Sequence, residues 1–175
     1  MEIDVFEGDL TEARADAVCT STNPRLSLMM GTGGAVRERG GFEVLRQCEA
    51  IAHGKPLPPG SAHVTTAGSL PFKIAIHCVA SNEVHLTSNT IIRACVRNAL
   101  VCAGEHACRS LVMPVFGTGH ARFKFQQALE MMLDVLQNAD TPVQRVTIAI
   151  NDAAKAESAR RLLVSTSKAR PSTPA

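Results

Sequence analysis

Short apolar runs in this sequence alternate with longer stretches whose apolar residues recur every three or four positions. The short runs fall at residues 1–6, 17–21, 61–67, 72–79, 111–116 and 145–150 and read as six strands. Between them lie helical stretches. One spans about 34–53, with the Gly40-Gly41 pair bending or interrupting it. Another spans about 88–105, where Ile92, Cys95, Val96, Ala99, Leu100 and Ala103 form a single stripe. A third carries the stripe Phe125, Ala128, Leu129, Met132, Leu133 and Leu136, whose methionines read as core filler. A fourth is capped by Asp152 and ends at Val164. Strands that alternate with helices imply a parallel sheet covered on both faces. The expectation is therefore an α/β fold, a three-layer α/β/α sandwich around a central mixed, mostly parallel six-stranded sheet. It occupies residues 1–164 as one domain, with 165–175 as a polar, disordered tail. Pro114 inside the fifth run predicts a bulge or a strand end.

Composition removes several classes of function. The 175 residues are 45% hydrophobic and 19% charged, and the net charge is +2 with both signs interspersed. A backbone-gripping basic stripe is missing, so the sequence carries no strong nucleic-acid footprint. Six Phe with no Tyr or Trp leave little for stacking single-stranded bases. The six cysteines contain no C-x-x-C pair, which argues against a zinc ribbon or a thioredoxin-type site and for reduced core thiols. No ligand spacing for a metal is evident among the histidines. With no signal-peptide pattern and no apolar run near the ~20 residues that span a bilayer, a soluble cytoplasmic protein without a membrane partner is expected.

Two glycine-rich loops leave predicted strand ends and precede helices: Met30-Gly31-Thr32-Gly33-Gly34 and Phe116-Gly117-Thr118-Gly119-His120. Glycines allow close backbone approach, and free amides at a helix start attract anions. Two such loops facing each other would clasp a diphosphate outside the carboxyl ends of the strands. Neither has the lysine of a phosphate loop, and neither fits a dinucleotide fingerprint after the first strand. Gly8-Asp9-Leu10-Thr11 follows the first strand. There Asp9 either caps a short turn or, beside a free amide, reads an adenine edge.

These segments together resemble the macrodomain family. Gly8-Asp9-Leu10-Thr11, Ala15-Asp16-Ala17-Val18 leading to Asn23, and Gly31 to Gly34 follow its opening signature. Gly60-Ser61-Ala62, Leu70-Pro71-Phe72-Lys73, Ile76-His77, Met113-Pro114 and Gly117-Thr118-Gly119 continue it in order over about residues 1–164. The resemblance implies a cleft for ADP-ribose. Asp9 and the backbone of Leu10 would hold adenine, and Asn23 would face the terminal ribose. Gly31, Thr32, Gly33, Gly34 and Ala35 would meet one side of the diphosphate. Phe116, Gly117, Thr118, Gly119 and His120 would close the other. Asn151 stands where many relatives place an aromatic ring on adenine, and it cannot stack as a phenyl ring does.

The sequence departs from the family at Thr20, where an Asn is usual, and at Met29 and Met30, where loop glycines are usual. Gly33 stands where one hydrolase branch has an aspartate, and the second glycine loop has no acid. Three functions follow. The first is a module that binds ADP-ribose or mono-ADP-ribosylated targets. The second is a hydrolase of ADP-ribosyl groups or a deacetylase of O-acetyl-ADP-ribose, with Asn23 and His120 as its catalytic residues. The third is a cleft adapted to another nucleotide or to a protein partner. None calls for a cofactor or a metal. His120 is either a phosphate donor or acid, or an exposed loop histidine; His77 is expected to be a satisfied core histidine. Arg37 and Arg39 either help phosphate or form a solvated face.

Overall fold

The computed structural model describes residues 1–168. Six strands form one sheet: β1 (Glu2–Glu7), β2 (Ala17–Thr22), β3 (Ala62–Thr65), β4 (Ile74–Val79), β5 (Ser110–Met113) and β6 (Arg145–Ile150). Their spatial order is β1-β6-β5-β2-β4-β3. Five run parallel, and only the edge strand β3 pairs antiparallel, with β4. The helices are α1 (Gly31–Gly40), α2 (Phe42–Ala52), α3 (Asn89–Glu105), α4 (Phe125–Gln137) and α5 (Ala153–Lys168), with a single 3-10 turn at Leu10–Glu12.

Alternation along the strands divides the core in two. Cys19, Ile76, Cys78, Leu111, Met113, Val146 and Ile148 face α3, α4 and α5, where Val96, Leu129, Met132 and Ala156 meet them. Val18, Ala75, Val79, Val112 and Ala149 face the other way, toward Val36 of α1, Val44 and Cys48 of α2, and Leu10. Both faces of the parallel strands are thus covered, as such sheets require, and the expected three layers are present. All six cysteines are unpaired, and all but the half-buried Cys102 are buried.

Element boundaries differ from the sequence expectation for local reasons. The first helix starts at Gly31 rather than 34, because the Gly34 amide already closes a turn on the Met30 carbonyl (3.2 Å). It breaks at Gly41, whose φ of +91° lies in the region that favours glycine. β5 stops at Met113: Pro114 has no amide to extend the ladder, and the Phe116 amide turns to the Met132 sulfur (3.4 Å). α5 continues to Lys168, past the expected end at Val164, so residues 165–168 are helical rather than tail. The rest of the expected tail, 169–175, lies outside the described residues.

Asp16 pins the amino ends of three strands. Its carboxylate accepts from the amides of Arg109 (2.8 Å) and Ser110 (3.1 Å) and pairs with Lys73 Nζ (2.9 Å). The Lys73 contact, with the two amides, outweighs burial and lowers its pKa to about 2.

Candidate functional site at the carboxyl ends of the strands

A cleft of about 800 Å³ runs across the carboxyl edge of the sheet, inside the ~300–1,000 Å³ range of small-molecule sites. All five parallel strands feed it. β1 leads into Gly8, Asp9 and Leu10; β2 ends in Thr22 and Asn23; β4 leads to Ala80 and Ser81. β5 leads to Pro114, Val115 and the segment Gly117 to Ala121, and β6 leads to Asn151 and Asp152. The first turn of α1 forms one wall, and the starts of α4 and α5, through Phe125 and Lys155, form the other.

The first glycine loop is held by buried leucines and by a threonine bond to the end of β2. Leu26 and Leu28 are buried in the core, which leaves Met29 and Met30 exposed at 68% and 61%. Thr32 Oγ1 accepts from the Ser21 amide (3.0 Å) and docks the α1 start on the end of β2. No side chain caps α1. The Gly31, Thr32 and Gly33 amides precede the first i to i−4 bond of the helix and are the orphan donors of its first turn. The second glycine loop folds on itself: Thr118 Oγ1 donates to the Val115 carbonyl (2.9 Å), and the Phe123 amide donates to the Gly117 carbonyl (3.0 Å).

Most residues expected to meet a ligand line this one cleft: Asp9, Leu10, Asn23, Gly31, Thr32, Gly33, Ala35, Gly117, Thr118, Gly119, His120 and Asn151. Two do not, and both require correction. Gly34 is buried inside the first helical turn with its amide engaged, and Phe116 is fully buried in the core beneath the second loop. Thr20 also stays out of the cleft. It is fully buried and donates to His77 Nδ1 (2.9 Å). Thr65 Oγ1 gives its proton to the Thr66 carbonyl (2.8 Å) and so accepts from His77 Nε2 (2.8 Å). His77 is therefore a satisfied, neutral core histidine whose pKa burial lowers to about 4.

Asp9 is at once the cap of the 3-10 turn and a cleft residue. Its Oδ1 accepts from the Thr11 amide (2.9 Å) and hydroxyl (2.7 Å), and Arg39 stands 3.4 Å from Oδ2. Burial works to raise its pKa, but the two Thr11 bonds and Arg39 outweigh it and hold the carboxyl below its ordinary value. Asn23 organises its own loop: Oδ1 accepts from the Arg25 amide (3.0 Å), and Nδ2 donates to Ser27 Oγ (2.6 Å). His120 meets the ring of His85 at 5.8 Å between centroids. His85, Ser81, Phe125 and Lys155 line the cleft without having been singled out from the sequence. Their signal was positional, since each follows a parallel strand's carboxyl end by a few residues or opens the next helix. The lining carboxylates, Asp9 and Asp152, both sit at the β1–β6 end of the cleft.

The Macro domain family model matches residues 19–132. The chain belongs to the Macro domain family. A Macro domain-containing protein of Streptomyces nogalater is 31% identical over 157 residues, covering 86% of this chain and 85% of its own. The O-acetyl-ADP-ribose deacetylase of Enterobacter cloacae is 32% identical over 123 residues, 67% of each chain. Uncharacterized mycobacterial relatives match over 89% of this macrodomain, which spans only 43% of the Mycobacterium bovis protein. Among solved structures, the Oceanobacillus iheyensis macrodomain with ADP aligns at a TM-score of 0.84 and 22% identity, over 94% of this chain and 90% of that one. The Trypanosoma brucei macrodomain in complex with ADP-ribose aligns at 0.79 and 19%, over 93% and 69%.

Proposed function

We propose that this macrodomain binds ADP-ribose, free or as a mono-ADP-ribosyl group on a macromolecule, and acts as a binding module. The observation that carries the reading is the pairing of an uncapped α1 start with the second glycine loop across a single cleft. Backbone amides there offer a diphosphate several donors without a competing side chain. In this reading the adenine lies at the β1–β6 end, which Asp9, Leu10 and Asn151 line, and the terminal ribose lies toward Asn23, Met29 and Met30. The structures of relatives with ADP and ADP-ribose and the deacetylase relative support the same ligand class.

Binding is favoured over hydrolysis because of where the carboxylates are. Asp9 and Asp152 belong to the adenine end, Gly33 contributes no acid, and the Asn23 amide is tied to Ser27. A general base must reach the water it activates, and no lining carboxylate is at the terminal-ribose end.

Two assays test the proposal. ADP-ribose should raise the melting temperature in a concentration-dependent way, as any ligand of the native state does. A mono-ADP-ribosylated protein incubated with a large excess of the macrodomain should keep its modification. Turnover that falls on Asn23→Ala would instead establish the hydrolase, and no stabilisation by millimolar ADP-ribose would remove this ligand.

A further inference from the structure

Among the described residues that line the cleft, Lys155 is the one lysine or arginine. It lies in the first turn of α5, on the wall shared with Phe125, toward the end that holds Asp9, Ile150 and Asn151. Its charge is only loosely matched. Asp152 Oδ2 is 3.8 Å from the ammonium, while Asp152 Oδ1 is occupied by the Lys155 amide (2.9 Å). The Phe125 ring centroid lies 5.8 Å away, at the outer limit of a cation–π contact. The side chain is 54% exposed and already lines the cleft. The two glycine loops already offer a diphosphate backbone amides, so a cation on this wall is additional to what an unmodified ADP-ribose needs.

We propose that Lys155 reads a phosphate carried on the adenosine ribose, so that the preferred ligand class is an ADP-ribose phosphorylated on its nucleoside half. The inference rests on the ADP-ribose reading of the cleft and deepens it. With adenine between Asp9 and Asn151 and the diphosphate between the glycine loops, the connecting ribose lies over Ala149 and Ile150. The Phe125–Lys155 wall is beside it. A phosphomonoester there adds a charge of roughly −1.5 to −2 at neutral pH, which an ammonium on that wall meets with a charge-assisted hydrogen bond. The loose 3.8 Å contact with Asp152 leaves the Lys155 ammonium available to that phosphate.

The test is isothermal titration of the folded chain with ADP-ribose and with ADP-ribose 2′-phosphate, repeated on Lys155→Gln and Lys155→Arg. The wild type is expected to bind the phosphorylated ligand at least about tenfold more tightly, a charge-assisted contact's typical worth. Lys155→Gln should bring that ratio close to one, Lys155→Arg should keep it, and added salt should shrink it. A wild-type ratio at or below one, or a ratio unchanged in Lys155→Gln, would overturn the inference while leaving ADP-ribose binding in place. Failure of both ligands to bind the wild type would remove the ADP-ribose reading and this inference with it.

Discussion

Two side chains show how a residue's environment decides what it does. Asp9 caps a turn with Oδ1 while Oδ2 stands 3.4 Å from Arg39 at the cleft edge, so the capping reading holds and the adenine reading is left to a binding test. Asp9→Ala should weaken ADP-ribose binding by about 1–3 kcal/mol, the cost of leaving a buried amine unsatisfied; calorimetry reads it, and unchanged affinity would remove Asp9 from the adenine site. Thr20 is the opposite case. Its departure from the family pattern pointed to the ligand, yet its hydroxyl serves His77 within the sheet. Thr20→Val should therefore leave ligand affinity alone. Denaturant unfolding should show a loss of about 1–3 kcal/mol from the orphaned His77 Nδ1. Such residues could not be told apart in the sequence, because adjacent strand positions point to opposite faces and only the register with β4 settles which partner each one meets.

The elements themselves were legible, since strand and helix periods are local signals. All six strands and the later helices are present in the expected order, with β5 ending early at Met113 and α5 running on to Lys168, and the break at Gly40-Gly41 was visible as two adjacent glycines. What the sequence concealed was tertiary. Gly34 and Phe116 share loops with cleft-lining residues but are turned inward by a helical bond and by core packing. His85, Phe125 and Lys155 reach the cleft only because the sheet order brings their loops together. Close approach between elements is equally invisible until folding. A Cβ on Gly68, whose φ is +62°, would sit 1.8 Å from the Gly40 carbonyl oxygen, at the junction of α1 and the β3–β4 connection. Gly68→Ala should cost more than about 2 kcal/mol, through both the clash and the unfavourable backbone. A variant that melts within a degree of wild type would show that this contact relaxes freely.

Two shifted groups, the buried His77 and the partly exposed Asp16, shape the acid stability of the whole molecule. His77 is held neutral by burial, with a folded pKa of about 4 against an ordinary 6.5, and neighbouring His63 acts in the same direction. The unfolded chain binds the extra proton first, so stability is full above about pH 6.5 and falls as pH drops toward 4, by on the order of 2–3 kcal/mol. Asp16 has its folded pKa lowered from 3.8 to about 2. Its contribution is present above pH 3.8 and is lost as pH falls through about 2. Chemical denaturation across pH should show the upper limb flattened in His77→Gln and the lower limb reduced in Asp16→Asn. A stability curve level between pH 6.5 and 4 would contradict the neutral, buried assignment of His77. The same sheet that carries these groups aligns five strand ends on one cleft, and the proposed ligand rests on that alignment. The most direct test is isothermal titration with ADP-ribose, with ADP as the control. Saturable binding of ADP-ribose, tighter than that of ADP, is the predicted result, because the terminal ribose adds contacts near Asn23. No heat of binding at millimolar ADP-ribose would contradict the assignment and leave the cleft to another ligand.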